Sequence, residues 1–159
     1  MAFNLKHYIF RAFRELLLYH HNSLEFRAKL FAALIAANDD HGDCELKIVQ
    51  DAGMSIYKDD DRANTLRLTV EEYLSKVKED NGLAIDELID DLIKDLKKYP
   101  RYTDKITIEP YLHITHCCKD EESRIYQERI ISLYQRLKDD NTKKSKPKTT
   151  APTSANTCE

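Results

Sequence analysis

The sequence predicts an all-α protein, a compact bundle of about six to seven helices, because apolar residues recur at helical spacing along most of the chain. Only three glycines and four prolines occur in 159 residues, and a sheet protein would need more turn residues. Charged residues make up 33% and hydrophobic residues 42% of the chain, a balance typical of a water-soluble helical protein. A chain of this length can bury roughly two-thirds of its unfolded surface, so one domain is expected.

An amphipathic helix is predicted for residues 4–20. Its apolar face consists of Leu5, Tyr8, Ile9, Ala12, Phe13, Leu16 and Leu17. Lys6, Arg11 and Arg14 lie on the other side. We expect this helix to pack on its own domain, because its apolar face is wide and aromatic. Peripheral attachment to a membrane surface is the alternative.

The central helix of the bundle is predicted to follow. Asn22 and Glu25 have the spacing of a capping box at its start. The stretch from Leu30 to Ala37 is apolar throughout. A helix that is apolar on all sides is normally the buried centre of a bundle, and this stretch is far too short to span a bilayer.

An acidic turn ends the central helix, and it has two interpretations. In the first, Gly42 takes a left-handed conformation, Asp43 caps the next helix and Glu45 faces the positive end of that helix. In the second, Asp39, Asp40, Asp43 and Glu45 hold a divalent cation, calcium or magnesium, because such hard ions are bound by several oxygens. The spacing of an EF-hand loop is absent.

Helical spacing continues through the middle of the chain. Gly53 is predicted to end the helix after the acidic turn, and Ser55 to cap the next one, which runs to about Glu79. The clearest amphipathic stripe spans Ile85–Tyr99, with early acids and late lysines that match the helix dipole. Pro100 is predicted to end that helix.

The last third of the chain repeats this order of features. Thr107 is predicted to cap a helix that leads into His116-Cys117-Cys118. A second acidic turn, Asp120-Glu121-Glu122, precedes a helix with an apolar face from Tyr126 to Leu137. The sequence therefore predicts two duplicated helix–acidic turn–helix halves, with Asp120 as the counterpart of the acids in the first turn.

The domain boundary is predicted at residue 138. From Asp139 onward the chain is polar, rich in lysine, threonine, proline and serine. Such a composition cannot bury enough apolar surface to fold. Residues 1–138 are thus expected to form a single domain, and residues 139–159 a disordered tail.

The two acidic turns resemble the motif of the TerB-like family, named for tellurite-resistance proteins. That motif is a small-residue helix that leads to an Asp-Gly turn with a glutamate several residues later. The first copy reads AANDDHGDCE, in which Asp39 or Asp40 matches the aspartate, Gly42 the glycine and Glu45 the later acid. In the second copy, THCCKDEESRIYQE, Asp120 matches the aspartate and glutamate replaces the glycine.

The resemblance implies a compact all-helical cytoplasmic domain without catalytic activity. It implies a role in tellurite or stress responses, and divalent-cation binding through the acidic turns at Asp39, Asp40, Asp43, Glu45 and Asp120. It also implies assemblies near the inner face of the membrane. The residues themselves are consistent with a non-enzyme, because no phosphate loop, HExxH or nucleophile elbow occurs.

The overall charge and the cysteines exclude other classes. A net charge of -3 gives no general attraction to nucleic acid. The N-terminus lacks a signal-peptide layout, and the four cysteines do not resemble a secreted disulfide framework, so a cytoplasmic location is expected.

Two alternatives to a calcium or magnesium site remain. One is a zinc site, if the fold brings His41 and Cys44 close to His113, His116 and the adjoining cysteines. The other is an adaptor without a ligand, which presents its N-terminal helix or an exposed groove to a protein partner.

Overall fold

The computed structural model describes residues 22–78 and 84–144, and the regular secondary structure in these two ranges is entirely helical. The elements are α1 (Asn22–Ala36), α2 (Asp43–Tyr57), α3 (Asp60–Lys78), α4 (Ile85–Lys98), a 3-10 helix (Pro100–Lys105), α5 (Ile108–Cys117) and α6 (Glu121–Lys144). The predicted all-α bundle is confirmed. The predicted helix at residues 4–20 lies outside the described residues, as does the chain after residue 144.

Helix α1 is the centre of the bundle. It packs against α3, α4, α5, α6 and the 3-10 helix. Every side chain from Leu30 to Ile35 is at most 1% exposed, as predicted from the unbroken apolar stretch. Full burial of one large apolar side chain such as Leu30 stabilises the fold by about 1.5–3 kcal/mol, and α1 has more buried apolar residues than any other described helix.

Hydrogen bonds from α6 fix its position on α1. The Tyr134 hydroxyl donates to the Leu30 carbonyl over 2.8 Å, and Gln127 Nε2 donates to the Leu34 carbonyl over 3.2 Å. Burial raises the pKa of Tyr134 well above its ordinary value, so the phenol stays protonated and remains a donor. The ring of Tyr134 also meets that of Tyr111 edge-on, with 5.5 Å between centroids.

The prediction that Gly53 ends α2 and that Ser55 caps the next helix is wrong. Helix α2 continues to Tyr57, and α3 begins at Asp60. Gly53 is buried against α3, where a Cβ atom would lie 2.8 Å from the Ala63 Cα. This glycine therefore serves the close approach of two helices rather than a helix end.

The other helix ends agree more closely with the sequence. Helix α4 spans the predicted stripe, and the 3-10 helix begins at Pro100. Helix α6 continues to Lys144, past the predicted boundary at residue 138, so residues 139–144 are helical rather than part of a tail. In that segment Asn141 Nδ2 and the Thr142 hydroxyl each donate to a carbonyl one turn earlier.

The order helix–turn–helix occurs twice, as α1–α2 and as α5–α6. The paired helices differ in length, since α1 and α2 have 15 residues each, α5 has 10 and α6 has 24. An internal duplication therefore stays a prediction. Within residues 22–78 and 84–144 no helix is long and apolar enough to cross a membrane.

Candidate functional site

The first acidic turn is closed by a buried carboxylate. Glu45 is only 2% exposed, and its two oxygens accept hydrogen bonds from Asn38 Nδ2 over 3.0 Å and from the Gly42 backbone N–H over 2.9 Å. Asn38 Oδ1 in turn accepts from the Asp40 backbone N–H over 3.1 Å. Glu45 therefore holds the turn together at the start of α2.

Two details of the predicted capping are wrong. Gly42 is the N-cap residue, and its φ of -164° is ordinary extended backbone rather than a left-handed conformation. Asp43 is the first residue of α2 and is exposed, so it does not cap the helix. The buried Glu45 side chain accepts a hydrogen bond from the Gly42 amide at the N-cap. The turn therefore needs neither a left-handed glycine nor an Asp43 cap.

The remaining predicted metal ligands are dispersed. Asp39, Asp40 and Asp43 are exposed. Asp120 caps α6, where its Oδ2 accepts from the Ser123 backbone N–H over 2.8 Å, and this hydrogen bond lowers the pKa of its carboxyl. In the described ranges no three His, Cys, Asp or Glu side chains are arranged to hold a metal ion. Cation binding by these acids stays a prediction.

A disulfide bond between Cys44 and Cys117 connects the two turns. Cys44 is in the first turn of α2 and Cys117 is the last residue of α5, with their Cα atoms 5.9 Å apart. The cysteine spacing does not predict this pairing, because connectivity is not deducible from sequence alone. Cys118 is buried, and its thiol donates to the Asp120 carbonyl over 3.2 Å.

The disulfide also bears on the zinc alternative. The sulfurs of Cys44 and Cys117 are bonded to each other and are not available as ligands. The Cys118 thiol donates to the Asp120 carbonyl in its own turn. His113 and His116 are exposed beside the disulfide, with 6.3 Å between ring centroids. A zinc site stays a prediction for the reduced protein, and metal analysis of that form tests it.

A groove of about 630 Å³ runs between α2 and α5, and the disulfide is at one end of it. Its half-buried lining is mostly apolar, formed by Ile48, Ala52, Ile56 and Pro110, together with Thr107 and Cys117. Its exposed polar lining consists of Asp51, Ser55, Glu109, His113 and His116. The groove was not predicted, because it depends on how two helices distant in sequence pack together.

The fold and this groove define a class, a small helical domain with a disulfide-closed cleft between two helices. Comparison with protein-family models, curated proteins and solved structures gives no match to the chain. The resemblance to the TerB-like family therefore stays a prediction.

Proposed function

We propose that the protein is a non-enzymatic interaction domain, and that its α2–α5 groove binds an amphipathic helix of a protein partner. The observation that carries this proposal is the groove itself, with its half-buried apolar side chains accessible between two helices. Grooves of this kind bind the apolar face of a helix, whose side chains one turn apart fill successive positions.

The charges at the groove indicate the chemistry of the partner. Asp51 and Glu109 are exposed, one on each wall. Neither forms an ion pair within the described part of the chain. The partner helix we propose therefore has a stripe of Leu or Ile residues and lysines or arginines beside that stripe. Complementary charge of this kind favours the correct orientation and speeds association.

A titration of the full chain with synthetic helices tests this proposal. Three peptides are compared by amide NMR: a Leu stripe with flanking lysines, the same stripe with flanking glutamates, and a scrambled lysine peptide. We expect saturable shifts at Ile48, Ala52 and Ile56 with the first peptide, and much weaker shifts with the other two.

Two variants, each of which introduces a phenylalanine, test whether the peptide binds in the groove. Ala52→Phe fills the groove and is expected to abolish binding, whereas Ser75→Phe adds the same ring to an exposed position on α3 and is expected to leave it unchanged. Circular dichroism confirms that both remain helical. Equal binding to Ala52→Phe, or equal binding of all three peptides, would refute the groove as the interaction site.

The divalent-cation function that the TerB-like resemblance implies remains a second proposal. Among the described side chains, no arrangement favours it over the capping roles of Glu45 and Asp120. Calcium or magnesium titration followed by amide NMR tests it, and a lack of shifts in residues 38–45 would end it.

A further inference from the structure

A second pocket, of about 280 Å³, lies at the N-terminal end of α1, away from the disulfide. Three cationic residues line it, Arg27, Arg62 and Lys105. Among the described residues that line it there is no carboxylate. An excess of one sign of charge in a concave site attracts a ligand of the opposite sign.

Arg27 is the central residue of this pocket. It is only 9% exposed, and its Nη1 donates to the Tyr57 hydroxyl over 3.2 Å. Its Nε is buried and has no hydrogen-bond partner among the described residues. A guanidinium is always charged, and burying a charge without an anionic partner is costly. Within the described part of the chain Arg27 therefore has an unsatisfied donor and no anionic partner, and its guanidinium is compensated only by the Tyr57 ring, 5.4 Å from the guanidinium carbon to the ring centroid.

The start of α1 adds a further positive contribution. Ser23 and Leu24 belong to the first turn of this 15-residue helix and line the same pocket. Backbone N–H groups of a first helical turn lack intrahelical acceptors, and the helix dipole makes that end positive. Helix N-termini next to arginines are a recurring arrangement in anion sites.

We propose that this pocket binds the phosphate group of a small phosphomonoester. A phosphate monoester carries nearly two negative charges near neutral pH, which suits several cations better than a single carboxylate charge does. The arginine fork can donate two parallel hydrogen bonds to phosphate oxygens. Because one water occupies about 30 Å³ in the liquid, a pocket of this size holds a phosphate together with several further atoms.

The NMR signal of the Arg27 Nε–H group is used to follow phosphate binding. The full chain is titrated with inorganic phosphate, glycerol phosphate, acetate and chloride at constant ionic strength. We expect saturable shifts of the Arg27 Nε–H signal and of the Ser23 and Leu24 amides with both phosphates. Acetate is expected to bind at least tenfold more weakly, and chloride to give no saturable shift.

Neutral variants separate the pocket from general positive charge. Arg27→Met and Lys105→Met are each expected to weaken phosphate binding about ten- to hundredfold, the effect of losing a hydrogen bond to a charged group. Arg124→Met removes the same charge from an exposed position on α6 and is expected to have no effect. The wild-type thermal midpoint should rise with phosphate, and this rise should disappear in Arg27→Met.

The proposal is overturned if phosphate causes no saturable shift at Arg27, if chloride acts as strongly as phosphate, or if Arg27→Met and Lys105→Met both retain full affinity. It does not depend on the groove between α2 and α5. The groove-filling variant Ala52→Phe is expected to bind phosphate normally, so the two proposals fail separately.

Discussion

The two acidic turns have similar compositions and different structures. In the first, the Glu45 carboxylate is buried and accepts hydrogen bonds from Asn38 and Gly42. In the second, Asp120 is exposed and caps α6 by accepting a hydrogen bond from the Ser123 backbone N–H. A carboxylate that closes a loop from within contributes more to stability than one on its surface, because water cannot replace its hydrogen bonds.

The largest expected effect on the free energy of unfolding comes from the disulfide bond that joins the two turns. Reduction of Cys44–Cys117, or the variant Cys117→Ser, is expected to lower the free energy of unfolding by about 2–5 kcal/mol, since a long closed loop is released in the unfolded state. Urea unfolding of oxidised and reduced protein measures this. The control is Cys118→Ser, which leaves the disulfide intact. An unchanged midpoint after complete reduction would show that packing alone holds the turns together.

The next effect tests the buried carboxylate. Glu45→Ala leaves the Asn38 amide and the Gly42 N–H without their acceptor, so we expect a loss of about 2–3 kcal/mol in urea unfolding. Gly42→Ala is the matched control in the same turn. It is expected to be nearly neutral, because among the described residues no heavy atom beyond its two chain neighbours lies within 4 Å of the added Cβ, and the backbone is extended there.

The same variant also separates the two roles proposed for the first turn. If Glu45 acts only in capping, the stability difference between wild type and Glu45→Ala is the same with a chelator and with excess calcium. A difference that grows with calcium would instead favour cation binding, since a bound ion stabilises only the folded state.

The smallest effect is expected at the second turn and depends on pH. The hydrogen bond from Ser123 lowers the folded-state pKa of Asp120, so its contribution is present above the unfolded pKa, about 3.9. That contribution is lost as pH falls through the folded pKa. Asp120→Ala should therefore differ from wild type near neutral pH and converge with it in acid. Thermal midpoints across this range measure the effect, and a constant difference would contradict the capping role.

The sequence predicts those features of the fold that depend on neighbouring residues, and it misses those that depend on contacts between distant helices. The stripe of α4 and the buried centre of α1 followed from apolar spacing alone, and Glu45 was correctly placed near the start of α2. The role of Gly53 was missed, because it depends on the approach of Ala63 from another helix.

The candidate sites were harder to predict for the same reason. The groove and the disulfide both exist because α2 lies next to α5. Local sequence patterns contain no information on which helices are neighbours. Arg27 had one local sign, a cation between apolar residues in LEFRAKLF. A basic residue in a helix is usually exposed, so only the structure reveals its buried, unsatisfied Nε.

The disulfide also determines how the chain responds to mechanical force. The two cysteines are 73 positions apart, and tension applied at the termini passes directly through their covalent link. About 240–260 Å of contour length is then unable to extend, at roughly 3.3–3.6 Å per residue. In an oxidised molecule pulled from its ends, the helices between Cys44 and Cys117 would bear no tension. They would extend only after the sulfur–sulfur bond is cleaved.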